Sequence, residues 1–131
     1  MKRLSSILVF SGLSALALGQ EKQIPFVEYD LDNGMHVILH QDNSNPIVAV
    51  SIMYHVGSKN ENTERTGFAH FFEHLMFEGS QNIERGEYSR LVEMNGGVLN
   101  ANTSQDRTYY YEILPSNQLE LGLWLESERL L

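Results

Sequence analysis

Three polar side chains in residues 70–74, which read His-Phe-Phe-Glu-His, are spaced to act together. In an α-helix, His70 and His74 lie about 40° apart around the axis, one turn above the other. Glu73 lies about 60° from His70 on the other side, so the three groups share an arc of about 100°. Two neutral imidazoles can hold zinc, and the adjacent carboxylate can take a proton from a metal-bound water. The spacing therefore predicts a zinc site able to activate water.

The order of these residues, H-x-x-E-H, inverts the more common zinc-binding order H-E-x-x-H. The surrounding residues 66–78 are apolar nearly all round, which predicts a buried helix. Polar groups on a buried helix are costly unless they are paired or bound to a cation. Zinc accounts for the two His and the Glu, and a hydrogen-bond network among buried polar groups is the alternative.

The first nineteen residues have the pattern of a secretory signal. Lys2 and Arg3 precede an apolar run at residues 7–18, and Ala17-Leu18-Gly19 is a small-x-small cleavage site. The apolar run is short for a membrane span, although an uncleaved anchor is the alternative reading. The pattern predicts a secreted or periplasmic protein whose mature part, residues 20–131, does not enter a membrane.

The charge of the chain argues against nucleic acid as a partner. The 131 residues carry a formal net charge of −8, which becomes −10 when residues 1–19 are removed. Such an acidic chain repels a phosphate backbone and favours solubility. The absence of cysteine excludes both a disulfide framework and a Cys ligand for a metal.

Alternating and helical patterns predict an α+β fold. Asn33-Gly34 between two alternating segments indicates a β-hairpin in which both turn residues have positive φ. Residues 47–56 are apolar enough for a central strand. Helices are predicted at 66–78 and 85–95 and from residue 117 onward, and further strands at 98–103 and 108–114. This order predicts a mostly antiparallel sheet with helices packed on one side.

The last predicted helix has an apolar face and no residue that would stop it before Leu131. We therefore expect a chain that is incomplete at its C-terminus, a frayed natural end being the alternative. A solvated helix face accounts for Glu120, Glu126 and Glu128. The apolar face comprises Leu119, Leu123, Trp124, Leu130 and Leu131.

Four ordered stretches of the chain have a distinctive sequence in common with one family. They are residues 31–35 (Leu-Asp-Asn-Gly-Met), 56–58 (Val-Gly-Ser), 67–79 (Gly-Phe-Ala-His-Phe-Phe-Glu-His-Leu-Met-Phe-Glu-Gly) and 95–104, with Asn-Gly-Gly at its start and Asn-Ala-Asn-Thr-Ser at its end. From about residue 26 to residue 131, the chain resembles the N-terminal part of the M16 (pitrilysin-like) zinc metallopeptidases. These include the mitochondrial processing peptidases and insulin-degrading enzyme. The resemblance implies a truncated LuxS/MPP-like metallohydrolase half-domain.

The same resemblance implies a zinc-dependent metalloendopeptidase that hydrolyses peptides or small unfolded proteins. Its cofactor is Zn²⁺, with His70 and His74 as ligands and Glu73 as the base for the zinc-bound water. Residues 99–103 resemble the edge strand on which the family binds a substrate segment through main-chain hydrogen bonds. Asn100, Ala101 and Thr103 are the substrate-binding residues that it suggests.

One departure from the family's pattern concerns the third zinc ligand. In the family this is a Glu on a later helix, roughly 75–80 residues beyond the second His, which places it past Leu131. None of Glu112, Glu120, Glu126 and Glu128 has that spacing. The resemblance therefore implies that this chain alone is inactive. Two alternatives are a non-catalytic subunit that works with a partner M16-like domain or subunit, and a zinc site without enzymatic activity.

Overall fold

The computed structural model of the protein describes residues 24–131, which divide between two compact units, the first ending at Asp42 and the second running from Asn43 to Leu131. The signal predicted for residues 1–19 lies outside the described part. Across residues 24–131, no helix is long and apolar enough to cross a membrane.

The first unit is the predicted β-hairpin. Strand β1 (Val27–Asp30) pairs antiparallel with β2 (His36–Leu39), and Asp30 lies opposite His36. The predicted turn, with both Asn33 and Gly34 at positive φ, is wrong in detail. Only Gly34 has positive φ, at 85°, and the Leu31 N–H donates to Met35 O at 2.9 Å, so the loop contains three residues. Asn33 stays out of the left-handed region because a three-residue loop needs only its last residue there.

The second unit contains a three-stranded antiparallel sheet. Its strands are β3 (Ile47–Tyr54), β4 (Val98–Thr103) and β5 (Thr108–Pro115), in the order β3-β5-β4. The prediction of a central strand at residues 47–56 is wrong for the described sheet, because β5 lies at its centre. Alternate residues of β5 are buried, which shows that one face of this sheet is covered.

Three α-helices lie in the second unit, namely α1 (Phe68–Leu75), α2 (Glu87–Met94) and α3 (Leu119–Glu128). Short 3₁₀ turns occur at Ser58–Asn60 and Ser116–Gln118. Helix α1 is shorter than the predicted 66–78, because its apolar pattern continues into a tighter last turn. There the Phe77 N–H donates to His74 O and the Glu78 N–H to Leu75 O, which are three-residue spacings.

All three helices pack on one face of the sheet, so the predicted α+β architecture is confirmed. Tyr110, Glu112 and Leu114 of β5 point toward this face and are buried. The pairing places alternate residues of β3 and β4 beside them, including Val50 opposite Glu112 and Ala101 opposite Tyr110. The buried apolar core comprises Ile83, Tyr88, Val92, Leu114 and Leu125.

The prediction that the first helix is buried is wrong for the described part of the chain. Phe68, Phe71 and Phe72 of α1 are 48%, 56% and 53% exposed. The side of the helix that carries Glu73 faces the sheet, since Glu73 is its buried residue, whereas His70 and His74 are exposed. Val56 and residues 60–62 line an open pocket with Phe68 and Phe72 and cover this aromatic side only in part.

The prediction for the faces of the last helix is also wrong. Leu123 and Trp124 are exposed, whereas Glu126 and Glu128 are buried. Gly122 lies against Val50 and Leu114, so α3 approaches the sheet closely along the side that carries Leu125. The two carboxylates tolerate burial because each has polar partners. Glu128 accepts hydrogen bonds from Ser80 Oγ at 2.6 Å and Asn82 Nδ2 at 3.0 Å, and the partners of Glu126 are described below.

Candidate metal and catalytic site

The two motif histidines face each other on consecutive turns of α1. His70 Nε2 and His74 Nε2 are 3.1 Å apart, and the ring centroids are separated by 4.8 Å. Two nitrogens bound at ~2.0–2.1 Å to one tetrahedral zinc ion lie about 3.3 Å apart. The pair therefore fits two positions of a zinc site with little rearrangement. The same separation also allows an N–H···N hydrogen bond when no metal is bound.

Within residues 24–131, no group of three or more His, Cys, Asp or Glu side chains is arranged to hold a metal ion. A catalytic zinc site uses three protein ligands and keeps one position open. Of the three protein ligands that such a site needs, His70 and His74 could supply two.

Glu73 is the buried residue of α1, with 7% of its surface exposed. Its Oε2 accepts a hydrogen bond from Thr103 Oγ1 at the end of β4. A carboxylate needs such a partner when it is removed from water. Glu73 lies one residue before His74, so α1 places a sheltered carboxylate beside the imidazole pair.

The N-terminus of α1 is capped by Glu61, a residue that the sequence did not single out. Its two carboxylate oxygens accept hydrogen bonds from the Gly67 N–H and the Ala69 N–H, both at 2.7 Å. These two bonds hold the pKa of Glu61 below its ordinary value, and the bond from Ala69 has the larger effect. The carboxylate also stabilises the positive end of the helix dipole. Glu61 therefore fixes the turn that leads into His70.

An open cleft lies between α1 and β4. Its walls include His70 and Glu73 from the helix, and Ala101 and Thr103 from the strand. Strand β4 has one paired neighbour, β5, in the described sheet, so its other side is an edge. Asn100 lies on the opposite face of the strand from Thr103, and its Oδ1 accepts a hydrogen bond from the Ala101 N–H at 2.8 Å. The three predicted substrate residues thus lie on one strand beside the motif, with their side chains on both faces.

A buried charged group, the Arg129 cluster, lies beneath the same helix. We define it as Arg129, Glu112, Glu126 and Tyr88. Arg129 Nε donates to Glu126 at 3.0 Å, and Arg129 Nη2 lies 3.7 Å from Glu112 Oε1. The Tyr88 hydroxyl donates to Glu112 at 2.8 Å and contacts Glu126 at 3.2 Å. One guanidinium therefore faces two carboxylates in the core.

Aromatic rings enclose the guanidinium of Arg129. Its central carbon lies 4.2 Å from the ring centre of Tyr88, 4.4 Å from that of Tyr110 and 4.5 Å from that of Phe77. Burial raises the pKa of Glu112, and the neighbouring carboxylate of Glu126 raises it further. Burial likewise raises the pKa of the Tyr88 hydroxyl. A Glu at an inward position of the alternating strand 108–114 is the sequence signal that could have identified this cluster.

The family model for insulinase (peptidase family M16) matches residues 36–125, which is more than half of the chain. The chain therefore belongs to peptidase family M16, a family that includes zinc proteases.

Named relatives agree with this assignment. The chain is 35% identical over 126 residues to the zinc protease PqqE of Helicobacter pylori, covering 95% of this chain and 28% of that protein. It is 37% identical over 81 residues to the mitochondrial-processing peptidase subunit beta of Saccharomyces cerevisiae, covering 62% and 18%. The crystal structure of pitrilysin superimposes with a TM-score of 0.76 at 25% identity, covering 84% of this chain and 12% of that one. The chain thus covers between 12% and 28% of the length of these proteins.

Proposed function

We propose that the protein is an exported zinc-dependent metalloendopeptidase that hydrolyses peptides or small unfolded proteins. In this proposal, His70 and His74 are two zinc ligands, and a Glu outside this chain is the third. Glu73 is the general base. Membership in a family of zinc proteases supports the class of reaction. The signal-like pattern of residues 1–19 supports export to the periplasm or the cell exterior.

The observation that carries the proposal is the placement of a buried carboxylate next to a facing pair of imidazoles. The Nε2 atoms of His70 and His74, 3.1 Å apart, match the separation expected of two zinc ligands. Glu73 lies on the same helix face and lines the same cleft as His70. A general base must lie within reach of the water whose proton it takes, and the cleft admits water beside Glu73.

Glu73 has two tasks in peptide hydrolysis. It takes a proton from the attacking water as the water oxygen bonds to the peptide carbon, and it returns a proton to the amide nitrogen as the C–N bond breaks. Zinc, when bound, supplies a Lewis acid that polarises the carbonyl and lowers the pKa of water. His70 and His74, as neutral imidazoles, would hold that ion.

The open edge of β4 is the proposed binding surface for the peptide. An extended segment can add to a free sheet edge through main-chain hydrogen bonds, as a further antiparallel or parallel strand. Asn100, Ala101 and Thr103 are the proposed contacts. This mode selects extended and unfolded chains, because a folded substrate does not expose a continuous strand.

Glu73→Gln in the full-length protein tests the proposed chemistry. The amide keeps the size of the side chain but cannot take a proton. We expect zinc content to match the wild type, and kcat on an internally quenched peptide to fall about 10²- to 10⁴-fold. Glu78→Gln is the matched control, because Glu78 is exposed, lies just beyond α1 and pairs with Arg85. Its kcat should equal that of the wild type.

Chelation and metal replacement complete this test. Removing zinc from the wild type should abolish cleavage, and adding zinc back should restore it. Full activity in Glu73→Gln would eliminate the assigned role of Glu73. Activity that survives complete removal of metal would eliminate the proposed class of enzyme.

A second candidate function is a non-catalytic subunit that works with a partner M16-like chain. Two observations favour it: the described residues lack a third metal ligand, and one relative is named as a subunit. The protein isolated from its own cells separates the two candidates. Cleavage by the protein alone supports the enzyme. Cleavage by a two-chain complex that persists when Glu73 is changed to Gln supports the non-catalytic subunit.

A further inference from the structure

Thr103 connects the end of β4 to the carboxylate of Glu73. Its hydroxyl donates to Glu73 Oε2 across thirty residues of sequence. Alternation along β4 places the Thr103 side chain on the face of the sheet that the helices cover, together with Ala101. Asn100 and Asn102 point to the other face. The Thr103 side chain therefore contacts α1 even though the main chain of the same strand forms an edge.

The backbone that carries Thr103 is held on several sides. Thr103 pairs with Thr108 in the β4–β5 ladder, and the turn that follows is closed by the Ser104 N–H donating to Arg107 O at 2.8 Å. The Ser58 N–H donates to Ser104 O at 3.0 Å. At Gly57, an added Cβ would lie 2.4 Å from Ser104 O, so only glycine allows this approach. These contacts fix the main chain from which the Thr103 side chain, with its donor oxygen, extends.

The hydrogen bond occupies one oxygen of Glu73 and leaves the other available. Within residues 24–131, the Glu73 side chain accepts one hydrogen bond, from Thr103 to Oε2, and none is recorded at Oε1. A carboxylate anchored through one oxygen cannot rotate freely about its last bond, so its second oxygen keeps one direction. A carboxylate held in this way keeps its free oxygen aligned with the water for more of the time than a carboxylate on a mobile side chain, so it acts more efficiently as a base.

We propose that Thr103 is a positioning residue for Glu73, and this inference rests on the proposed peptidase function. The Thr103 hydroxyl holds Oε2 so that Oε1 takes the proton from water. Thr103 does not bind the metal, and its side chain does not bind the substrate. Removal of the Thr103 hydroxyl should therefore lower kcat and leave both KM and the affinity for zinc unchanged.

Three variants of the full-length protein test this role. Thr103→Val removes the hydroxyl and keeps the shape, and Thr103→Ser keeps the hydroxyl. Thr108→Val is the matched control, because Thr108 lies directly opposite in the ladder and donates its hydroxyl to Val56 O at 3.0 Å, away from Glu73. For each we would measure kcat, KM, the zinc dissociation constant by chelator competition, and the midpoint of thermal unfolding.

For Thr103→Val we expect kcat to fall about 10- to 100-fold, with KM and the zinc dissociation constant within about twofold of the wild type. Thr103→Ser should restore most of kcat. Thr108→Val should lower the unfolding midpoint by at least as much as Thr103→Val and retain kcat. This combination distinguishes positioning of the base from a general contribution to stability.

Each other result overturns the inference in a recognisable way. Unchanged kcat in Thr103→Val, or a defect that Thr103→Ser does not restore, shows that the hydroxyl does not position Glu73. A raised KM with unchanged kcat assigns the side chain to substrate, and weakened zinc binding assigns it to the metal pair. A wild type without zinc-dependent cleavage overturns the proposed function itself, and the positioning role falls with it.

Discussion

Arg129 Nη1 donates a hydrogen bond to the main-chain carbonyl of Met76, 2.7 Å away. Met76 is the residue that caps the C-terminus of α1, two positions beyond His74. Carbonyl groups at a helix C-terminus lack partners within the helix, and a cation there also stabilises the helix dipole. Arg129 therefore joins the end of α3 to the end of the helix that carries the metal motif.

Replacing Arg129 by Met should strongly destabilise the protein. The variant loses the bond to Met76 and leaves the side chains of Glu112 and Glu126 buried without their cationic partner. Breaking a buried ion pair from one side costs about 3–5 kcal/mol, and denaturant unfolding of the full-length protein should show a loss of this size. Arg90→Met is the control, because Arg90 forms an exposed pair with Glu87 at 2.8 Å on α2.

The control change should cost less than about 1 kcal/mol, as is usual for a surface ion pair. Equal losses in the Arg129 and Arg90 variants would contradict the burial and pairing described for the cluster. Arg129→Lys is informative too, since a lysine keeps the charge but cannot contact Glu126, Glu112 and Met76 at once. We expect it to recover part of the stability.

Glu112 should make the stability of the protein depend on pH. Its pKa is raised in the folded state, mainly by burial and then by Glu126, so the folded protein binds a proton that the unfolded chain releases. The free energy of unfolding should therefore fall as pH rises from about 4.5, the ordinary value, toward about 8. Below that window, the protonated carboxyl carries no penalty.

Glu112→Gln should remove this part of the pH dependence. The amide is neutral at every pH and its oxygen can still accept the Tyr88 hydroxyl, so Arg129 then faces one carboxylate. Urea unfolding of the zinc-free protein between pH 4.5 and 8 should show the variant gaining stability relative to the wild type as pH rises. Glu93→Gln, on the exposed side of α2, controls for the loss of one negative charge. A constant difference between Glu112→Gln and the wild type would contradict the prediction.

The sequence predicted the strands and helices that can be recognised from the pattern of adjacent residues. Strand β4 has the predicted bounds, because the alternation at residues 98–103 follows from which side chains face the helices. Helix α1 exists where the motif requires it, but its predicted burial was wrong. A helix apolar nearly all round does not reveal which side its neighbours cover, and the described neighbours cover the side with Glu73.

The part of the candidate site that lies on a single helix could be predicted from the sequence. His70, Glu73 and His74 follow from helical spacing alone. The partners of that helix, Glu61, Thr103 and Arg129, come from a loop, a strand end and a distant helix end, and their contacts depend on tertiary packing. Polar residues in these positions also look like ordinary surface residues in a sequence, which is why the sequence predicts a solvated face for Glu126 and Glu128.

Glu61 should support zinc binding by holding the first turn of α1. Glu61→Gln has one oxygen acceptor where the carboxylate has two, so it cannot cap both the Gly67 N–H and the Ala69 N–H. We expect the zinc dissociation constant of the full-length protein to rise, because His70 follows directly after Ala69. Glu64→Gln is the control, since Glu64 lies exposed in the same loop and its side chain caps nothing in α1.

The contribution of Glu61 to folding stability should also depend on pH, in the opposite direction to that of Glu112. Its pKa is lowered in the folded state, so the stabilisation is present above the ordinary value of about 4.5 and disappears as pH falls through the folded value. In zinc-free protein, the difference in unfolding free energy between the wild type and Glu61→Gln should be constant near neutral pH and shrink below about pH 4.5. A difference that persists undiminished in acid would show that the charge of Glu61 does not cap the helix.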